Sequence, residues 1–110
     1  MINQGDIIKI NLNPTRGHEQ SGLRPALVVS NNYFNTKTRL LLICPITNTD
    51  NGFPTNVKLK DTTTTGVVKC EHIRAIDPTA REHTFIEPVS KNILQEVIDI
   101  VYGSVENIEV

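Results

Sequence analysis

Pro25-Ala26-Leu27-Val28-Val29-Ser30 is the stretch that decides how this chain folds. Four apolar residues run together, the last two β-branched, between a proline and a polar segment. The run is short and bounded by turn residues, so it reads as a buried strand. Working outward, Gly17 to Gly22 is a polar loop, and Asn13-Pro14-Thr15-Arg16-Gly17 carries strong turn chemistry. Before it, Gly5-Asp6 opens Ile7-Ile8-Lys9-Ile10-Asn11-Leu12, which reads as another strand.

In the other direction, Asn31 to Thr38 is polar with two aromatics and suggests a short helical turn. Arg39 to Thr47 reads as a strand ending at Pro45-Ile46-Thr47, and Thr55 to Leu59 as a short alternating one. Asn48 to Pro54 and Asp61 to Gly66 are turn regions. Val67 to Cys70 and Ile73 to Ile76 are two strand pieces separated by Glu71 and His72, and Pro78 begins another break. Ser90 is a fit N-cap. Ile93, Leu94, Val97, Ile98 and Val101 follow at helical spacing, and Gly103 is the expected end. About five to seven short strands and one C-terminal helix imply a mostly antiparallel, barrel-like sheet with a helix packed on it. One domain, residues 1–110, accounts for the length.

No apolar run reaches the roughly 18 residues of a membrane span. Residues 1–6 lack the basic and apolar regions of a secretory signal, so a cytoplasmic location is expected. Net charge is −1, unlike a general nucleic-acid coat protein. The distribution is uneven: residues 1–81 hold ten basic and six acidic side chains, whereas residues 82–110 hold one and six. A positive body with an acidic end permits local phosphate contact. Cys44 and Cys70 both sit in apolar runs and read as reduced core thiols. A zinc site from Cys44, Cys70, His72 and His83 would lack the usual ligand spacing, and no metal or other cofactor is expected. Phosphate-loop, dinucleotide, nucleophile-elbow and zinc-protease motifs are all missing.

Four polar clusters remain. Gly17-His18-Glu19-Gln20-Ser21-Gly22-Leu23-Arg24-Pro25 packs an imidazole, a carboxylate, an amide and a guanidinium in front of the buried strand. An arginine held there can present its planar donor fork to a phosphate, or make a surface ion pair. Thr47, at a strand end, can donate to a phosphoryl oxygen or cap a turn. In Lys69-Cys70-Glu71-His72, strand alternation would put Lys69 and Glu71 on one face. A cation and a carboxylate there could act as acid and base, or form an ordinary ion pair. Arg74, Asp77 and Arg81 read most simply as a surface charge network. Phe53, in the polar turn Asn51-Gly52-Phe53-Pro54, could stack a base or anchor the core.

Taken together and in order, these residues resemble the MazF/PemK family of toxin–antitoxin ribonucleases, and most of all its PemK/Kid branch. The match runs from Gly5-Asp6-Ile7 and Pro14-Thr15 through Gly17-His18-Glu19-Gln20-x-Gly22-x-Arg24-Pro25 and Phe34-Asn35. It continues in Pro45-Ile46-Thr47, Thr64-Thr65-Gly66-Val67-Val68-Lys69-Cys70, Ile76-Asp77 and Ala80-Arg81. The resemblance implies an SH3-like, plasmid-toxin (CcdB/MazF-type) barrel that forms a homodimer. It also implies metal-independent, sequence-specific cleavage of single-stranded RNA and a cognate antitoxin whose flexible segment covers the active site. The implied catalytic positions are Arg24, Thr47, Lys69, Glu71 and His18. Glu19, Gln20, Ser21, Phe53 and His72 are expected to contact RNA. The chain departs from the Kid-like branch in carrying Lys69 for an arginine and Glu71 for an aspartate. Lysine lacks the bidentate fork, and glutamate carries its carboxylate one methylene further out.

RNA supplies its own nucleophile, the 2′-hydroxyl. The expected roles are Glu71 or His18 as base, Arg24 and Thr47 on the phosphorane oxygens, and Lys69 or His18 as proton donor. Two other readings compete. A CcdB-like toxin that binds gyrase without catalysis would share the fold but would not require the His18–Arg24 loop. An SH3-like peptide module would need an exposed aromatic cluster, and the chain has five aromatics and no tryptophan.

Overall fold

Pro25 to Val28 lie in β2 (Leu23–Val28), with Val29 and Ser30 just beyond its end, and β2 pairs antiparallel with β1 (Asp6–Asn11), Ile7 opposite Leu27 and Ile10 opposite Arg24. This is a computed structural model, and it describes residues 1–12 and 22–109. After β2 comes α1 (Asn32–Thr38), then β3 (Leu41–Thr47), β4 (Asn56–Lys58), β5 (Val67–Lys69), β6 (Arg74–Ile76), β7 (His83–Pro88) and α2 (Lys91–Val105).

The sheet order is β4-β5-β3-β2-β1-β7, with β6 also paired to β3 and every pairing antiparallel. β5 and β6 follow each other along β3. The 3-10 turn Cys70–His72 between them shifts the register, so that Val68 faces Ile46 while Arg74 faces Ile43. The outer strands, β4 and β7, do not hydrogen-bond to each other. The sheet is therefore barrel-like in connectivity but open along one seam.

Both faces of the central strands are apolar. Ile7, Leu27, Val29, Cys44 and Ile46 form one core with Ile93 and Val97 of α2. Ile8, Ile10, Ala26, Val28, Leu41, Ile43 and Ile76 form a second. This is why Ala26 to Val29 is unbroken rather than alternating: even residues serve one core and odd residues the other. Cys44 and Cys70 are buried free thiols in the first core. A hydrogen bond with Cys70, and then burial, push the Cys44 thiol well up.

Local chemistry sets the helix ends. The Asn31 side chain accepts from Phe34 N at the start of α1, and Arg39 closes that helix in the left-handed region at φ 62. β3 consequently begins at Leu41 rather than Arg39. Ser90 caps α2 as expected, accepting from Ile93 N at 3.2 Å. Gly103 does not end α2, which continues to Val105. Gly103 is outside the positive-φ residues, so it supplies no left-handed cap.

Candidate active site

Register arithmetic explains how separate clusters meet. In an antiparallel sheet, directly opposed residues point to the same face. Ala26 opposes Pro45, and Arg24 and Thr47 lie two residues away on their own strands. Thr47 opposes Val67, two residues before Lys69. Arg24, Thr47 and Lys69 therefore share the face of Ala26, Val28 and Ile43, with Arg24 and Thr47 where its apolar residues give out and Lys69 at the other end of β5.

Arg24 and Thr47 line one cleft of about 440 Å³ with Leu12, Pro25, Pro45, Ile46, Asn48 and Thr65. A hollow of about 470 Å³ near Met1, Leu40, Leu41 and Pro78 is larger, but the cleft is where two donors suited to a phosphate converge. Arg24 is exposed, and among the described residues its guanidinium meets no carboxylate. Thr47 Oγ1 accepts from Thr49 N at 3.2 Å. That bond caps the turn and leaves the hydroxyl proton available to donate. Gly66 permits the close approach of β5. It sits at φ +120, and a Cβ there would lie 2.4 Å from the Thr47 carbonyl oxygen.

The second group gathers at the far end of β5. Lys69 Nζ lies 3.3 Å from Glu71 Oε2, 3.3 Å from Asn51 Oδ1 and 5.4 Å from the centre of the Phe53 ring. Thr55 Oγ1 donates to Glu71 Oε1 at 2.5 Å, and His72 Nε2 stands 3.8 Å from Glu71 Oε2. Sequence alternation brought Lys69 and Glu71 together for the wrong reason. Glu71 lies in the 3-10 turn, not on a strand, and that turn swings its carboxylate back to Lys69. Desolvation pushes the Glu71 carboxyl up. The Thr55 hydroxyl, the residue's own N–H and Lys69 outweigh it, leaving the group below the usual carboxylate range. Phe53 is 53% exposed, so it is a surface ring and not a core anchor. His72 is also exposed.

His18, Glu19, Gln20 and Ser21 lie outside the described residues. The flanks of their loop are described: Leu12 N donates to Gly22 O at 3.4 Å, and Leu12 itself lines the cleft. Arg74 and Arg81 do not form the expected network with Asp77 among the described residues. Each instead donates to a backbone carbonyl at the end of β1, Arg74 to Leu12 O and Arg81 to Asn11 O. Asp77 caps its own turn through Thr79. Sequence reasoning missed Thr55, Asn51 and Asn48. Nothing in their spacing marks them, because they reach the site through turns. No group of three or more His, Cys, Asp or Glu side chains suited to a metal occurs among the described residues.

Residues 3–102 match the family described as PemK-like, MazF-like toxin of type II toxin-antitoxin system. The chain belongs to that family. It is 39% identical to the Escherichia coli endoribonuclease PemK over 88% of its own length and 77% of the relative's. It is 32% identical to the endoribonuclease toxin MazF of Escherichia coli K12, over 90% and 92%. A crystal structure of MazF from Deinococcus radiodurans superposes with a TM-score of 0.82 at 32% identity, covering 94% of this chain and 96% of that one. A MazE–MazF crystal structure from the same organism gives 0.84 at 32% identity, covering 94% and 95%. The open seven-stranded sheet with a C-terminal helix is therefore the MazF-type fold, and the cleft and the Lys69 group are features of a PemK/MazF-family chain.

Proposed function

We propose that this chain is the toxin of a type II toxin–antitoxin pair, a sequence-specific endoribonuclease that cuts single-stranded RNA in the cytoplasm and so inhibits translation and growth. The observation that carries the reading is the shared face. An exposed arginine and a strand-end threonine line one cleft, and a lysine–glutamate pair beside an exposed phenylalanine follows along the adjoining strand. The relatives named above bear endoribonuclease names, which favours this reading over a gyrase-binding toxin of the same fold. No described helix is long and apolar enough to cross a membrane.

The chemistry needs the 2′-oxygen aligned with phosphorus, its proton removed, the phosphorane charge balanced and the 5′-oxygen protonated. Holding a strand splayed across the face supplies alignment, with a base stacked on Phe53. Glu71 is ionised at neutral pH and can accept the 2′-hydroxyl proton, a role it shares as candidate with His18. Arg24 offers its fork to the non-bridging oxygens, and Thr47 adds a donor. Lys69 or His18 returns a proton to the leaving 5′-oxygen. The products are a 2′,3′-cyclic phosphate and a 5′-hydroxyl. Because the nucleophile is in the RNA, these steps require no metal. Glu19, Gln20, Ser21 and His72 are the further RNA contacts. A homodimer and a cognate antitoxin presenting acidic and apolar residues to this face complete the reading.

The test is cleavage of a long single-stranded RNA in excess EDTA with end-group analysis, comparing wild type with Arg24→Ala. Repeated cuts with cyclic-phosphate ends, lost in the variant, are expected. A wild type that leaves varied RNAs intact would overturn the assignment and direct the next assay to gyrase.

A further inference from the structure

Glu87 belongs to no part of the site as described, yet its carboxylate is the most heavily engaged among the described residues. Its Oε1 accepts from Thr63 N at 3.1 Å. Its Oε2 accepts from Thr63 Oγ1 at 2.8 Å, Thr64 N at 2.7 Å and Thr64 Oγ1 at 2.7 Å. Glu87 is on β7, at one edge of the sheet. Thr63 and Thr64 are in the turn joining β4 to β5, at the other. One carboxylate thus spans the seam that no backbone ladder closes.

A break in strand register aims it there. Ile8 opposes Phe85, but Ile7 opposes Glu87, so Ile86 is one residue more than β1 can pair. Such an insertion breaks alternation and turns the next side chain to a different side. Ile86 packs on the core beneath α2, and Glu87, opposite Ile7, is brought to that same side.

The anchored turn leads directly into the cleft. Thr65, next after Thr64, lines it and donates from Oγ1 to Asn48 Oδ1 at 2.9 Å. Gly66 then packs against the Thr47 carbonyl. Thr47 and Asn48 are thereby held from one side by a turn whose own anchor is Glu87.

We propose that Glu87 is a positioning residue for RNA cleavage, holding the Thr63–Gly66 turn across the open seam so that Thr47 keeps its place opposite Arg24. This rests on the ribonuclease reading. Without the anchor the turn loses four acceptor bonds while the two cores stay intact, so the defect falls on geometry more than on folding. Displacements of the order of 1 Å in such a site cost up to about 100-fold in rate.

The experiment measures kcat and KM for cleavage of a defined single-stranded RNA by wild type, Glu87→Ala, Glu87→Gln and Thr64→Val, well below each variant's Tm. A fall of about 10- to 100-fold in kcat with KM little changed is expected for Glu87→Ala. Glu87→Gln, which keeps one acceptor oxygen, should fall between it and wild type, and Thr64→Val should show a smaller loss of the same kind. In amide spectra the Thr47 and Asn48 signals should move in Glu87→Ala, while those of Ile93 and Val97 stay. Folded Glu87→Ala with wild-type kcat would overturn the assignment while leaving the ribonuclease reading intact. If Glu87→Ala does not fold, unchanged kcat in Thr64→Val would overturn it. A wild type inert on RNA overturns both.

Discussion

The cleft at Arg24 and the group at Lys69 share one face of the sheet, but their side chains are in opposite states. Arg24 is exposed, with no carboxylate beside it among the described residues. Lys69 already has Glu71, an amide oxygen and an aromatic ring, with its side chain only 12% exposed. An idle guanidinium can meet a phosphate without giving anything up. An engaged ammonium must exchange existing partners, so its net gain on binding is smaller. The first region is arranged to receive charge, and the second to hold a carboxylate ionised and in place.

The largest expected effect follows from that contrast. Arg24→Ala should lower kcat by about 10³-fold, with Tm almost unchanged because the side chain is exposed, and Arg24→Lys should restore only part of it. Glu71→Gln should cost about 10²-fold, the lower end for loss of a positioned base. If single-turnover assays put Glu71→Gln below Arg24→Ala, the ranking of the two regions is reversed.

Phe53→Ala should weaken binding of uncleavable RNA by about 1–3 kcal/mol, read by titration, with little effect on the chemical step. The smallest effect concerns pH. Glu71 lies below the usual carboxylate range, so its ionised form persists to lower pH and activity should fall only as pH drops through that depressed value. Lys69→Ala removes one lowering influence and should shift the acid limb of the kcat profile upward. An unmoved limb would mean that Glu71 is not the titrating base.

What was legible in the sequence follows from which elements carry buried side chains. β1, β2 and β3 are read from Ile7 to Leu12, Ala26 to Val29 and Arg39 to Thr47 because the cores impose their periods there, although Arg39 closes α1 and β3 starts at Leu41. β7 was not legible, since none of its six residues is buried; it joins β1 through backbone hydrogen bonds, which leave little trace in composition. The end of α2 was misplaced because glycine is tolerated inside a helix as well as after one. Arg24 and Thr47 stood out as polar residues at the ends of apolar runs. Lys69 and Glu71 were paired on strand periodicity where a 3-10 turn does the work. Glu87 and Thr55 were invisible, because their partners are 23 and 16 residues away and no local pattern encodes such a contact.

The pairing of the first strand with the last has a consequence for how the protein comes into being. Ile7 and Ile8 find their β7 partners only at Glu87 and Phe85, and one core is covered only by Ile93 and Val97. Such long-range closure is the slow kind of folding. A growing chain therefore cannot complete its sheet or its seam until β7 has left the ribosome. A translation product that stops before β7 carries Arg24, Thr47, Lys69 and Glu71 but lacks the outer partner of β1, the Glu87 anchor across the seam and the Ile93–Val97 cover of one core. For the ribonuclease proposed above, β7 and α2 are therefore the pieces that finish the fold around site residues that all precede them in the chain.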